Sequence, residues 1–195
     1  LVLFIVALSA CTHKEPEETG IEETGVSTDC QPALRLTPSY PGVQPNLPVQ
    51  INASGGTGDY LFRLGNPDSP AILNERTGTY LASNEVGTVD EVVLTDLNCD
   101  GSATTTITTY AGFTVLPEQV SLLPGQPITP EFVDGSGEFS CEILLAPSGA
   151  TLDGCDYTAG SGEGTDVLRI RDLLTGQLQD LRIEVDPEAK LEGLP

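Results

Sequence analysis

Asp96, Asn98 and Asp100 are the residues whose types and spacing come nearest to a metal site. They alternate along the run 96–101 (DLNCDG), and alternate oxygen-bearing side chains on a tight turn can converge on one calcium ion. A calcium loop of this kind needs a bidentate acid at its twelfth position, where this chain has Ile107. We therefore interpret the run as a hairpin turn, with calcium binding as the alternative.

Two glycine-rich runs, 55–58 and 160–164, superficially resemble phosphate-binding loops. A phosphate loop needs a following helix whose backbone N–H groups face the anion, and it commonly supplies a lysine. Neither run is followed by a lysine or by a helical pattern, and acidic residues flank both. We interpret both runs as turns.

The residues available for catalysis are few. His13 is the only histidine, so the chain has no Ser/His/Asp or Cys/His arrangement and no HExxH motif. Carboxylate pairs are abundant among 29 acidic residues, which makes any single pair uninformative. We expect no enzyme activity and no cofactor.

The charge and the composition restrict the partners and the fold class. The formal net charge is −21 and only eight residues are Lys or Arg, which disfavours nucleic acid and anionic lipid headgroups as partners. The 21 glycines and 15 prolines, without any Met or Trp, are typical of strands separated by frequent turns.

The chain after its N-terminal part contains a duplication. Several landmarks recur in the same order at a nearly constant offset, which indicates a repeated unit. They are the run 54–58 with 134–137, Tyr60 with Phe139, Tyr80 with Tyr157, and Gly87 with Gly164.

Apolar residues alternate within each unit, as in strands that bury one face. The alternating runs are Leu34/Leu36, Leu47/Val49/Ile51, Tyr60/Phe62/Leu64 and Val92/Leu94, then Phe139/Cys141/Ile143/Leu145, Leu168/Ile170 and Leu181/Ile183/Val185. We predict an all-β protein with two antiparallel β-sandwich domains, at 33–111 and 112–186, and a tail at 187–195. The run 71–75 is the one candidate for a helical turn.

The motif Gly-Gly-x-Gly-x-Tyr-x-Phe, followed by Thr-Gly-x-Tyr-x-Ala and Gly-Thr-x-Asp-x-Val-x-x-x-Asp, spans residues 55–96. It resembles bacterial Ig-like modules that occur in tandem on exported proteins. The resemblance implies that the glycine-rich turn precedes a central strand and that Asp96 and Asp172 each begin the last hairpin turn. The second copy departs from the motif, since Cys141 stands at the strand position of Phe62.

Four of the five cysteines, Cys30, Cys99, Cys141 and Cys155, are an even set that suggests disulfides in an exported chain. Three pairings are open, and we favour Cys30–Cys99 with Cys141–Cys155 because each pair then lies within one repeat. Metal ligation is the alternative, but the chain has no CxxC and no histidine near these cysteines.

The N-terminus is expected to carry a lipid anchor at the fifth cysteine, Cys11. The apolar run 1–7 is too short to span a bilayer, and it leads into Leu8-Ser9-Ala10-Cys11, which resembles the lipobox of bacterial lipoproteins. The resemblance implies cleavage before Cys11 and a diacylglycerol on its thiol. We predict a signal segment at 1–10, lacking its basic region at the start, and an acidic flexible tether at 11–32.

These features together predict a lipid-anchored protein of the cell envelope or cell surface with a structural, adhesion or protein-interaction role. Its expected partners are the membrane, through the anchor, and an envelope or extracellular protein or glycan. In a host with two membranes, the resemblance to bacterial lipoproteins and their sorting rules implies the outer membrane, since Thr12 rather than Asp follows Cys11. The alternatives are a glycan- or calcium-binding module, or the spacer of a larger exported enzyme or adhesin.

Overall fold

The computed structural model describes residues 29–66 and 69–188. The predicted signal segment, the lipid-attachment residue Cys11, nearly all of the predicted tether and most of the predicted tail lie outside these residues. The described part of the chain contains strands and turns but no helix. This confirms the all-β class that the alternating pattern predicts.

The first unit of the repeat contains eight strands, and we call this unit the first sandwich. Its strands are β1 (Arg35–Pro38), β2 (Gly42–Val43), β3 (Pro48–Ser54), β4 (Tyr60–Leu64), β5 (Ile72–Leu73), β6 (Thr79–Leu81), β7 (Val89–Asp96) and β8 (Ser102–Thr109). They form two sheets, in the orders β1-β3-β6-β5 and β2-β8-β7-β4.

The second unit contains nine strands, and we call it the second sandwich. Its strands are β9 (Thr114–Leu116), β10 (Gln119–Leu122), β11 (Pro127–Ile128), β12 (Glu131–Val133), β13 (Phe139–Leu145), β14 (Thr151–Asp153), β15 (Asp156–Thr158), β16 (Gly164–Asp172) and β17 (Leu178–Val185). They form sheets in the orders β10-β17-β16-β13 and β11-β15-β14, with β9 and β12 as a separate pair.

Most neighbouring strands are antiparallel, as predicted, but each sandwich also has one parallel pair at a sheet edge. These pairs are β2 with β8 and β10 with β17. In both units a short strand runs beside the last strand in the same direction. The recurrence of this pairing is independent evidence that the two units are duplicates with one strand topology.

Each sandwich has its own hydrophobic core. The first core draws buried residues from both sheets, including Ile51, Tyr80 and Leu94. The second core runs from Phe113 to Val185 and shares no residue with the first. Because a fully buried large apolar side chain contributes about 1.5–3 kcal/mol, each core stabilises its own unit. The domain limits at 33–111 and 112–186 stay predictions.

The offset between the two copies becomes shorter at one hairpin. Leu73 pairs with Tyr80 in the first sandwich, and Leu152 pairs with Tyr157 in the second. The hairpin between the paired residues is therefore shorter in the second sandwich. This difference explains why the landmarks before the hairpin and those after it recur at slightly different offsets.

Three sequence-based expectations are wrong in detail. The run 71–75 forms no helical turn, because Ile72 and Leu73 pair with β6 as a strand. Leu145 does not point inward: the register shifts between Ile143 and Leu145, and Leu145 is 55% exposed. In the register of the last hairpins, Gly164 corresponds to Thr88 rather than to Gly87.

Candidate functional site

Asp96, the first residue of the calcium candidate, holds the glycine-rich loop of the first sandwich. Its carboxylate accepts hydrogen bonds from the Thr57 backbone N–H at 2.7 Å and the Thr57 hydroxyl at 2.6 Å. It also accepts bonds from the backbone N–H groups of Gly58 at 3.2 Å and Asn98 at 2.9 Å. The side chain therefore joins the loop at 55–58 to the hairpin that follows β7.

The other two calcium candidates lie near Asp96 but have different contacts. The Asn98 side-chain nitrogen is 3.4 Å from an oxygen of Asp59, and Asp100 forms a β-bridge with Asp29. Within residues 29–66 and 69–188, no three His, Cys, Asp or Glu side chains form a group that could hold a metal ion. Calcium binding stays a prediction, and the melting temperature in millimolar calcium is the measurement for it.

Asp172 repeats this arrangement in the second sandwich. Its carboxylate accepts hydrogen bonds from the Ser136 backbone N–H at 2.8 Å and the Ser136 hydroxyl at 2.7 Å. The backbone N–H groups of Leu174 and Thr175 also donate to it, each at 3.0 Å. The glycine-rich loops at 54–58 and 134–137 are thus turns before the central strands, as the Ig-like resemblance implies, and the structure shows that one carboxylate holds each of them.

These hydrogen bonds favour the ionised form of both carboxylates. The bond from the Thr57 hydroxyl has the largest effect on Asp96; burial opposes it, but the backbone donors add to it, and the pKa of Asp96 falls to about 2. Burial acts to raise the pKa of Asp172, but the bonds from Ser136, Thr175 and Leu174 together outweigh it and leave that pKa below its usual value. The ionised carboxylates of Asp96 and Asp172 therefore stabilise the two turns.

Each core contains a tyrosine hydrogen-bonded to a buried aspartate. The Tyr80 hydroxyl donates to Asp90 at 2.5 Å, and the Tyr157 hydroxyl donates to Asp166. Burial, and then the bond to the carboxylate, raises the pKa of both tyrosines. Asp90 and Asp166 are at most 5% exposed, so they lie out of reach of a substrate. The sequence identified the two tyrosines as corresponding positions of the repeat but did not reveal their aspartate partners.

Asp166 has a further partner that Asp90 lacks. The Ser148 backbone N–H donates to Asp166 at 3.1 Å, and the Ser148 hydroxyl donates to the same carboxylate. In the first sandwich, Tyr80 is the one side chain of the described residues with a hydrogen bond to Asp90. Among the described residues, the Asp90 carboxylate therefore depends on a single donor.

The cysteines form two disulfides, Cys30–Cys99 and Cys141–Cys155, which are the pairs favoured from the sequence. Their Cα atoms are 5.1 Å and 5.2 Å apart, within the normal range. The Cys30 backbone N–H also donates to the carbonyl of Asp100 at 3.1 Å. The start of the described chain is therefore fastened to the hairpin after β7. Disulfides of this kind indicate an exported protein.

The two sandwiches meet through a set of direct hydrogen bonds. The Gly42 backbone N–H donates to the carbonyl of Leu174 at 3.0 Å, and the Gln44 amide donates to the Gln177 side-chain oxygen at 2.5 Å. That oxygen also accepts a bond from the Phe113 backbone N–H at 2.9 Å, and the Gln177 nitrogen donates to the Phe113 carbonyl at 3.0 Å. Gln177 therefore connects the first sandwich, through Gln44, with the start of the second sandwich at Phe113.

Two glycines allow the close approach at this junction. A Cβ at Gly42 would lie 3.3 Å from the Leu174 carbonyl oxygen across the junction and 2.7 Å from the Tyr110 ring of its own unit, and a Cβ at Gly176 would lie 2.4 Å from Cζ of Tyr40. Neither position leaves room for a larger residue. One feature of the sequence indicates the junction. At the position of Gln177 the first sandwich has Gly101, so the hairpin itself needs no glutamine there.

A cleft of about 320 Å³ lies at the junction, on the side of Tyr40. Both sandwiches line it. From the first come Tyr40, Gly42, Val43, Gln44, Leu47, Pro48 and Val49, and from the second come Thr175, Gly176 and Gln177. We call this feature the junction cleft. Sequence analysis missed Tyr40 entirely, because it stands in a turn outside every alternating run.

A larger concavity of about 650 Å³ lies on the second sandwich beside β9, β10 and β17. Glu118, Asp180 and Arg182 are among the residues that line it. On the same sheet, Arg169 forms two hydrogen bonds with Asp180 at 2.8 Å and 3.0 Å. Asp180 also attracts Arg182 electrostatically, so both arginines face an acid of the protein itself.

The described residues contain no helix with the length and hydropathy that crossing a bilayer requires. No protein-family model matches the chain, and no curated protein matches it. Solved structures match at low similarity. A C-terminal fragment of intimin, solved with the intimin-binding domain of its translocated receptor, is 12% identical with a TM-score of 0.45, over 78% of this chain and 64% of the fragment.

Two further structures show the range of these similarities. Extracellular domains 3–5 of Drosophila OTK are 13% identical with a TM-score of 0.42, over 78% of this chain and 61% of theirs. The surface-layer protein rSbsC(31–844) is 15% identical with a TM-score of 0.33, over 83% of this chain, which spans only 28% of the surface-layer protein. We assign the all-β class from the strand pairing of this protein. Similarity at this level carries no argument about activity.

Proposed function

We propose that this protein is a lipid-anchored protein of the cell envelope, attached through Cys11, and that its paired sandwiches serve a structural, adhesion or protein-interaction role. The observation that carries the role of the sandwiches is their junction, where the bonds from Gln44 to Gln177 and from Gly42 to Leu174 tie two separately cored units to each other. A pair of sandwiches held in this way presents a surface of constant shape. The disulfides support exposure to an oxidising compartment.

Absence of enzyme activity belongs to the same proposal. The best-placed carboxylates, Asp96 and Asp172, are engaged in holding turns, and Asp90 and Asp166 are enclosed in the cores. Such groups stabilise the fold and are not open to a substrate. A second candidate function is that of a spacer within a larger exported protein, and the same junction supports it. The coding sequence beyond Pro195 distinguishes the two candidates.

The anchor is tested on full-length protein extracted from membranes. Intact mass should show a thioether-linked diacylglycerol on Cys11, and the Cys11→Ser protein should appear in the soluble fraction. Several acyl chains give stable attachment, whereas one chain binds only reversibly. A Cys11→Ser protein that stays membrane-bound, or an unmodified thiol, contradicts the anchor.

The interaction role is tested on cells that display the protein. Protease treatment of intact cells should release the sandwiches, and cells lacking the gene should lose attachment or envelope integrity. Restoring the gene should restore the phenotype, while restoring the Cys11→Ser form should not. Display without any phenotype of deletion contradicts the proposed role.

A further inference from the structure

The junction cleft has the composition of a ligand site and not that of a simple seam between two units. Tyr40 is 37% exposed and Leu47 is 47% exposed, although both belong to the wall of the cleft. The hydroxyl-bearing end of the Tyr40 ring rests against Gly176, since a Cβ there would contact Cζ and both Cε atoms. The ring is thus held in place while part of its surface stays open to solvent.

The Ig-like fold does not require these two apolar side chains. The short edge strands β2 and β10 pair with the last strand of their own sandwich in the same way, and in that register Tyr40 corresponds to Gln119. Leu47 corresponds to Gln126, because each carbonyl accepts the same backbone hydrogen bond, from Ala82 and from Ala159 respectively. The first sandwich therefore carries exposed apolar groups where its duplicate carries amides.

The charge of the cleft sets it apart from the rest of the chain. None of its ten lining residues is Asp, Glu, Lys or Arg, in a chain with 29 acidic residues. Without a cation in its wall, the cleft offers nothing to neutralise an anionic ligand in the field of a strongly acidic protein. A cationic ligand would find no carboxylate there. The occupant that fits is uncharged.

Polar groups in the cleft remain open to such an occupant. Among the described residues, the Tyr40 hydroxyl and the Gln44 side-chain oxygen have no hydrogen-bond partner. The Gln44 nitrogen uses one of its two hydrogens on Gln177. An aromatic ring beside an amide and hydroxyl groups matches a sugar ring, which has an apolar face of C–H groups and a rim of hydroxyls.

We propose that the junction cleft binds a neutral glycan, with Tyr40 and Leu47 against the face of one sugar ring and Gln44 on its hydroxyls. The cleft volume is within the range of small-ligand sites, which occur preferentially at domain interfaces. This proposal rests on the proposed surface role, since a surface protein needs a ligand outside the cell. It also requires both sandwiches, because Thr175, Gly176 and Gln177 form the opposite wall.

The test uses the full chain with Cys11→Ser, which removes the lipid and leaves the described residues unchanged. Isothermal titration calorimetry measures binding of four neutral oligosaccharides: maltohexaose, cellohexaose, laminarihexaose and N-acetylchitohexaose. Hexagalacturonate is the anionic control, and a short proline-rich peptide represents an apolar protein ligand. We expect at least one neutral oligosaccharide to bind, and the two controls not to bind.

Tyr40→Gln and Leu47→Gln are the variants of choice, because the duplicate carries glutamine at both positions and still folds. Each should weaken the binding of the neutral oligosaccharide by about tenfold or more. Tyr40→Phe, which keeps the ring, should weaken it less. Gln119→Ala is the matched control at the corresponding position of the second sandwich and should leave affinity unchanged.

Three outcomes overturn the proposal: no neutral oligosaccharide binds, both glutamine variants bind as well as the parent, or the proline-rich peptide or hexagalacturonate binds in the cleft instead. Failure of the glycan-binding proposal is distinguishable from failure of the proposed function. Loss of glycan binding leaves the Cys11 lipid and surface display intact, whereas failure of the anchor shows in the mass and fractionation experiments.

Discussion

The ring of Phe62 lies against Gly78, at the two positions where the second sandwich has Cys141 and Cys155. A Cβ added to Gly78 would lie 2.8 Å from Cε1 and Cζ of Phe62. In the second sandwich the corresponding strand and hairpin are joined by a disulfide instead. At these two positions the first sandwich has a phenylalanine ring packed against a glycine, and the second sandwich has a disulfide.

Gly78→Ala should destabilise the first sandwich more than Gly87→Ala does. Both glycines have positive φ, 70° and 85°, but a Cβ at Gly87 meets nothing within 4 Å. The φ cost of about 1 kcal/mol is common to both, and the contacts with Phe62 and the Ile51 carbonyl add about 1–3 kcal/mol at Gly78. Urea unfolding of the two variants measures the difference, and equal midpoints would show that the packing contact is unimportant.

Removing the Cys30–Cys99 disulfide should cost more stability than removing Cys141–Cys155. The first closes a loop with a sequence separation of 69 and the second one of 14. Loop entropy gives about 4 kcal/mol for the first and about 3 kcal/mol for the second. The measurement is denaturant unfolding of the two double Cys→Ser variants. The reverse order would mean that strain or residual structure outweighs loop length.

Tyr80→Phe should destabilise the protein more than Tyr157→Phe does. Both changes remove a hydroxyl that donates to a buried carboxylate, but Asp166 keeps the two donors of Ser148. Loss of the last donor to a buried polar group costs on the order of 1–3 kcal/mol, and loss of one of several costs less. Thermal unfolding of the two variants tests this order. Combining Tyr157→Phe with Ser148→Ala should cost more than Tyr157→Phe alone, because the Ser148 backbone N–H then remains as the donor to Asp166.

Acid should weaken the turn held by Asp96 between about pH 4 and pH 2. Because the folded-state pKa of about 2 lies below the unfolded value of about 3.9, the stabilisation is complete above pH 4 and is lost as pH falls through 2. Asp172 shifts in the same direction. Urea midpoints from pH 5 to pH 2 should show less acid dependence for Asp96→Asn than for the parent. Equal acid dependence in both proteins would assign the loss of stability to other carboxylates.

Gln177→Ala should free the two sandwiches from their fixed mutual orientation without unfolding either. The side chain makes its bonds to Gln44 and to the backbone of Phe113, not within the hairpin that carries it. Residual dipolar couplings should fit one alignment tensor for both sandwiches in the parent and two in the variant. Gln126→Ala, on the second sandwich, is the control and should leave a single tensor.

The amino-acid sequence was sufficient to predict the all-β class, the duplication and the favoured disulfide pairs. The alternation of apolar residues follows from the geometry of a single strand, so it can be recognised without knowledge of the tertiary structure. A repeat is recognised as similarity at a constant spacing. The correspondence of Tyr80 with Tyr157 followed from the same repeat. These are local or repeated features, which is why they can be recognised along the chain.

The sequence alone could not reveal contacts between positions that have no common pattern. Tyr40 and Gly176 are far apart in the chain, as are Gln44 and Gln177, and each pair meets only because the two sandwiches pack end to end. The register shift at Leu145 likewise depends on pairing with β16. Alternation assigns a side chain to one face of a strand, whereas the junction cleft and the buried Tyr–Asp pairs depend on how separate strands and turns are placed in space.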